Sequence, residues 1–150
     1  MPVAAFAYLC INAITFRPHR QVKLLSIIAV FAGSGLGGVC RYLIGRALSA
    51  LFGPTLFPWA TFAVNIAGCF ILGLLYGIFE RQTSPCIISP ELRLLLTVGF
   101  CGGFTTFSTF INENYLLFQS SHLPAVAAYT ALSLTAGFIL LYAGYALGRA

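Results

Sequence analysis

Polar side chains are scarce in this chain, and those that interrupt its apolar stretches limit the chemistry open to it. The densest group is GFCGGFTTFSTF, Gly99–Phe110. Gly102 and Gly103, followed by Thr105, Thr106, Ser108 and Thr109, make a poor continuous helix. Glycine costs ~1 kcal/mol relative to alanine there, and Ser/Thr hydroxyls compete for backbone groups. Within a membrane such a break persists only where the freed groups line a cavity or meet partners. Carbonyls released at the break suit a cation, whereas N–H groups at the start of the next half-helix favour an anion.

Other residues could join that chemistry. Phe107 and Phe110 fall on one side of the second half-helix. They are either packing residues or rings whose positive edges contact an anion in a narrow passage. Asn65, in TFAVNIAGCF, is either an interhelical hydrogen-bonding residue or a donor of amide N–H groups to an anion. Tyr129 and Ser133 share a helix face, with Thr130 and Thr135 nearby. That face reads as a hydroxyl track along a pore wall or as a set of helix–helix hydrogen bonds. Absences also count. No carboxylate lies in the middle of an apolar segment: Glu80 and Glu91 flank a polar loop, and Glu113 lies near the end of the third segment. Proton-coupled transporters generally need a deep titratable group. His19 and His122 lie outside the apolar segments, and no nucleophile–base or metal-ligand set is present, so an enzyme is not expected.

These residues are positioned by elements suited to lipid. Of 150 residues, 59% are hydrophobic and only 7% charged, with mean hydropathy +0.94. A soluble domain carries roughly a quarter of its residues charged. Four long apolar segments run from Leu24 to about Arg46, Trp59 to about Phe79, Leu94 to about Phe118, and Ala125 to about Leu147. Each exceeds the ~18 residues needed to span a bilayer. Gly53, Pro54 and Pro58 mark the first loop, Pro85 and Pro90 the second, and His122 and Pro124 the third. The expectation is an all-α membrane protein of four transmembrane helices, the third broken in mid-membrane, occupying residues 24–149. Residues 1–23 form an extension whose apolar part, Val3 to Phe16, is too short to span and precedes its basic residues, the reverse of a signal peptide. An interfacial anchor, a disordered extension and a mis-assigned start codon are all compatible with it.

The net charge of +5 does not indicate nucleic acid, because the basic residues stand singly at the ends of apolar stretches. Arg17, Arg20, Lys23, Arg81, Arg93 and Arg149 would share one side of the membrane, and Arg41 and Arg46 the other. This places both termini in the cytoplasm. Without Arg17 and Arg20 the bias is weak enough to permit both orientations. Cys10, Cys40, Cys69, Cys86 and Cys101 form no CxxC pair and read as free thiols acting as small hydrophobes. Gly33, Gly35, Gly37, Gly38, Gly68, Gly73 and Gly77 suit close helix packing.

GGVCRY (Gly37–Tyr42), FAVNIAGCFILG (Phe62–Gly73) and GFCGGFTTFSTF, in this order, resemble the Fluc, or CrcB, fluoride channels. The resemblance covers about residues 24–149. It implies an antiparallel, dual-topology homodimer of four-helix subunits in the bacterial inner (plasma) membrane, with two fluoride pores. It further implies a structural Na+ at the dimer centre, held by carbonyls of Gly102 and Thr105. Phe107, Phe110 and Asn65 match pore-lining positions, with Ser108 and Thr109 beside them. Tyr129 and Ser133 resemble a hydroxyl track, and Arg41 matches an arginine near an aqueous vestibule that would concentrate anions. The function implied is passive, selective export of fluoride, giving fluoride resistance. Glu113 has no role assigned by the resemblance. Two other readings compete. A small multidrug transporter needs a carboxylate in the first span, and Leu24–Arg46 has none. A non-transporting membrane scaffold leaves the Gly-Gly-x-Thr-Thr break and Asn65 without purpose.

Overall fold

The computed structural model describes residues 23–81 and 88–150, and all regular structure among them is helical. α1 (Leu24–Phe52) and α2 (Trp59–Arg81) are joined by the first loop. The third span opens as α3 (Pro90–Leu94), continues through a π-helical stretch (Leu95–Cys101), and closes with a single turn, α4 (Gly102–Phe104). After two non-helical residues it resumes as α5 (Phe107–Gln119), and α6 (Leu123–Arg149) follows. Counting Pro90–Gln119 as one, four helices among the described residues are long and apolar enough to cross a membrane. The shortest, α2, has 23 residues. At ~1.5 Å per residue that is about 35 Å, enough for the ~30 Å hydrocarbon layer.

The helices outrun the apolar segments. α1 continues past Arg46 to Phe52, because Ala47, Leu48, Ser49 and Ala50 contain no breaker; it stops at Gly53, whose φ is 65°. Hydropathy falls at the first charged residue, whereas backbone hydrogen bonds stop only where the chain must turn. At the second loop, Ser89 caps α3 by accepting the Leu92 N–H at 3.1 Å, with Pro90 in the first turn. Lys23 and Glu91 pair at 3.9 Å, and the Arg93 guanidinium lies 4.9 Å from the Phe79 ring. Tyr145 donates a hydrogen bond to Glu80, tying the end of α6 to that of α2.

Small residues set how closely the helices approach. α2 packs most extensively on α6. A Cβ on Gly73 would strike the Leu141 carbonyl, and one on Gly144 the Phe70 carbonyl. α1 meets the π-helical stretch in the same way, since a Cβ on Gly33 would strike the Leu95 carbonyl and stand 2.9 Å from Gly99 Cα. Close packing therefore explains Gly33, Gly37, Gly68, Gly73 and Gly77. Gly35 and Gly38 face open space within this chain and need another reason. Cys40, Cys69 and Cys101 are free, with only Cys101 buried. Cys10, Cys86 and the extension up to residue 22 lie outside the described residues.

Candidate functional site

The third span breaks at Thr105 and Thr106. Thr105 has φ −80° and ψ 160°, and Thr106 has φ −147° and ψ 118°, so both are extended. Thr106 then starts the next helix as its N-cap. Its Oγ1 accepts the Thr109 N–H at 3.3 Å while its hydroxyl donates to Thr109 Oγ1 at 2.9 Å. Ser108 Oγ stands 3.5 Å from the same hydroxyl. On the near side, Thr105 N–H and its hydroxyl both donate to the Cys101 carbonyl, at 3.0 and 2.9 Å. Hydroxyls thus serve the termini that a Gly-Gly-x-Thr-Thr sequence creates.

Asn65 holds the break open. Its Nδ2 donates to the Thr106 carbonyl at 3.0 Å, and the Thr106 N–H donates to its Oδ1 at 2.8 Å. In an unbroken helix that N–H would close on the Gly102 carbonyl. Asn65 takes it instead. Of the two readings of this residue, the interhelical one is observed, although the partner is backbone. One amide N–H is not consumed by this pair, since an Asn amide carries two. The approach of α2 needs Gly68, where a Cβ would strike the Thr105 methyl and come within 3.2 Å of the Phe104 ring. Gly102 is exposed, with open space where a Cβ would stand.

Beyond the break the aromatic residues converge. Phe107 and Phe110 have ring centroids 6.1 Å apart, yet Phe107 is 74% exposed and Phe110 only 7%. Phe110 packs on Tyr129 at 4.9 Å, and Tyr129 is completely buried. The Tyr129 hydroxyl donates to Glu113 Oε2 at 2.8 Å, and the Thr61 hydroxyl donates to Glu113 Oε1 at 2.7 Å. One turn along α6, Ser133 Oγ is buried and, among the described residues, has no hydrogen-bond partner. Thr130 donates to Asn114 Oδ1 at 3.1 Å, and Thr135 turns back to the Ala131 carbonyl of its own helix. Of these α6 hydroxyls, those of Tyr129 and Thr130 therefore bond to α5 and that of Thr135 to its own helix, which leaves Ser133 to face no partner among the described residues.

A cavity of about 740 Å³ lies beside the break, between α1, the start of α2 and the start of α5. Arg41 and Arg46 line one wall, and Thr61, Thr106 and Thr109 the other. Arg46 Nη1 donates to the Tyr42 hydroxyl at 3.4 Å. The cavity is thus cationic on one wall and lined with hydroxyls where it meets the break. Of the expected pore and vestibule residues, Arg41 and Thr109 line it, whereas Asn65, Phe107, Ser108, Phe110, Tyr129 and Ser133 do not.

Residues 28–145 match the family model described as CrcB-like protein, Camphor Resistance (CrcB). The chain belongs to the CrcB family. A fluoride-specific ion channel FluC of Bacteroides fragilis is 44% identical over 125 residues, 82% of this chain and 95% of the relative. Its namesake in Chlorobium luteolum is 48% identical over 120 residues, 80% of this chain and 89% of the relative. That of Rhodospirillum centenum is 46% identical over 123 residues, 82% of this chain and 94% of the relative. With four spanning helices, this CrcB chain is a multi-pass membrane protein.

Three residues of this CrcB chain have a place at the site that spacing did not reveal: Glu113, Thr61 and Arg46. A carboxylate retained in an apolar stretch was the available signal for Glu113. Thr61 carries none, because a single threonine at a helix start is ordinary. Arg46 reads as a flanking charge until α1 is seen to continue past it.

Proposed function

We propose that this CrcB chain is a fluoride-specific ion channel that lets F− leave the cytoplasm passively, across the bacterial inner membrane. The observation that carries the reading is the Asn65–Thr106 pair, which keeps the third span open beside a cationic cavity. The name shared by its relatives supplies the ion. Fluoride is small and strongly hydrated, so a passage must replace water by several modest donors without trapping the ion. Asn65, Ser108, Thr109 and Ser133 supply amide and hydroxyl groups, Tyr129 backs Phe110 with its own hydroxyl committed to Glu113, and Phe107 and Phe110 supply ring edges. Arg41 gathers anions at the wide end, and no Lys or Arg follows it into the narrow part.

An antiparallel homodimer of dual topology fits this arrangement. The ring of Phe107 and the face around Gly102 are exposed in one chain and would be covered by a second copy. The charge bias left without Arg17 and Arg20 is weak and permits insertion in either orientation. Structural Na+ also fits the residues present. The Gly102 carbonyl has lost the Thr106 N–H to Asn65, Thr105 lies in the extended break, and the ground above Gly102 is open. Carbonyls of Gly102 and Thr105 from both copies would hold the ion, which would supply a fixed positive charge joining them.

Efflux from liposomes tests the reading. Reconstituted protein is expected to release fluoride, retain chloride and need no pH gradient. Dependence on a pH gradient would indicate a coupled transporter, and the absence of fluoride release a scaffold.

A further inference from the structure

Loop residue Phe57 is half-buried, packed on the Phe110–Tyr129 cluster in a way that the conduction path does not by itself require. Its ring meets Tyr129 edge-on, with centroids 5.2 Å apart at 78°, and Phe62 at 5.3 Å and 74°. Trp59, the single tryptophan of the chain, lies 4.5 Å from it. Phe57 thus joins a continuous series of rings, Trp59–Phe57–Tyr129–Phe110–Phe107, running from the first loop to the break. The loop backbone is fastened at the same point. The Thr55 hydroxyl and the Trp59 N–H both donate to the Phe57 carbonyl, at 2.8 and 2.9 Å. Pro58 further disfavours helical backbone at Phe57.

We infer that Phe57 is a positioning residue for conduction, acting through Tyr129 on Phe110. The Tyr129 ring packs on two aromatic side chains, Phe57 and Phe110, and its hydroxyl is tied to Glu113. Hydrogen bonding at the hydroxyl alone leaves the ring able to tilt about the bonded oxygen. The Phe57 edge removes that freedom, because edge-to-face pairs have a preferred geometry as well as buried area. Without it Tyr129 tilts into the vacated space, and Phe110, which packs on the same ring, follows. The first loop is then part of the pore's scaffold rather than a passive connection.

The inference rests on the fluoride-channel reading, so wild-type flux comes first: no fluoride release by wild type would sink that reading. Given wild-type flux, Phe57→Leu keeps most of the volume and removes the ring edge. It is expected to lower fluoride flux about tenfold, the rate equivalent of losing one well-oriented aromatic pair. Phe57→Tyr, which keeps the ring, is expected to retain most of the flux. Phe79→Leu alters a more deeply buried ring, at the far end of α2 beneath Arg93, and is expected to leave flux near wild type. Wild-type flux in Phe57→Leu, or an equal loss in Phe79→Leu, overturns the inference. Should Phe57→Leu fail to assemble, Thr55→Val removes one of the two hydrogen bonds that fasten the Phe57 carbonyl, at an exposed position, and is expected to lower flux in the same direction. Unchanged flux in that variant would equally overturn it.

Discussion

Asn65 and Thr106 hold each other through a reciprocal pair, side-chain amide to backbone, at 3.0 and 2.8 Å. The pair satisfies both backbone groups of the residue at which the third span is interrupted. Left unpaired in hydrocarbon, those groups would drive the chain back into a continuous helix. The break is therefore specified by two helices together.

Replacing Asn65 should be costly in two separable ways. Asn65→Ala removes both bonds and is expected to destabilise the fold by about 2–4 kcal/mol, two buried backbone groups losing their partners. Asn65→Asp still accepts from the Thr106 N–H but sets a carboxylate oxygen against the Thr106 carbonyl, and it repels an anion. Its fluoride flux should fall more than its thermal stability. Wild-type flux in Asn65→Asp would argue against an Asn65 contact with the ion.

The two phenylalanines of α5 differ in exposure, and their variants should differ accordingly. Phe107→Ile and Phe110→Ile are both expected to reduce fluoride flux sharply while leaving dimer assembly intact on size exclusion. Only Phe110→Ile should also lower thermal stability, by about 1 kcal/mol, because its ring is buried against Tyr129. Unchanged flux in either variant rejects its pore role.

Glu113 joins three helices, accepting from Thr61 on α2 and Tyr129 on α6. Glu113→Ala is expected to cost about 2–3 kcal/mol by stranding two buried hydroxyls. In a double-mutant cycle with Tyr129→Phe, the two changes should be non-additive by about 1 kcal/mol or more. Additive losses by thermal denaturation would show that the pair is not coupled.

Arg41 offers an ionic-strength test. Arg41→Gln should lower fluoride flux most in dilute salt, with the difference from wild type shrinking as the Debye length falls from ~10 Å at 0.1 M to ~3 Å at 1 M. A deficit independent of salt would mean that Arg41 acts by contact or packing instead of by its field.

The sequence makes some of this legible and hides the rest for physical reasons. Four spans follow from apolar runs bounded by Gly, Pro and charge. The break follows because Gly-Gly-x-Thr-Thr offers little to a helix and much to its termini. Asn65 stands out as polar, but the identity of its partner depends on where α2 crosses the third span, 41 residues away in sequence. Glu113 is still less readable, since its partners lie 52 and 16 residues away. The π-helical stretch, LLTVGFC, has the composition of any apolar helix. Its wider turn accompanies a tight approach to Gly33 that no local pattern announces.

Current through a planar bilayer tests the central claim most directly. With purified protein between fluoride on one side and chloride on the other, the reversal potential should follow the fluoride gradient alone. Changing chloride at constant fluoride should leave it where it stood. A reversal potential that moves as far with chloride as with fluoride would contradict a fluoride-selective path through the break at Thr105 and Thr106.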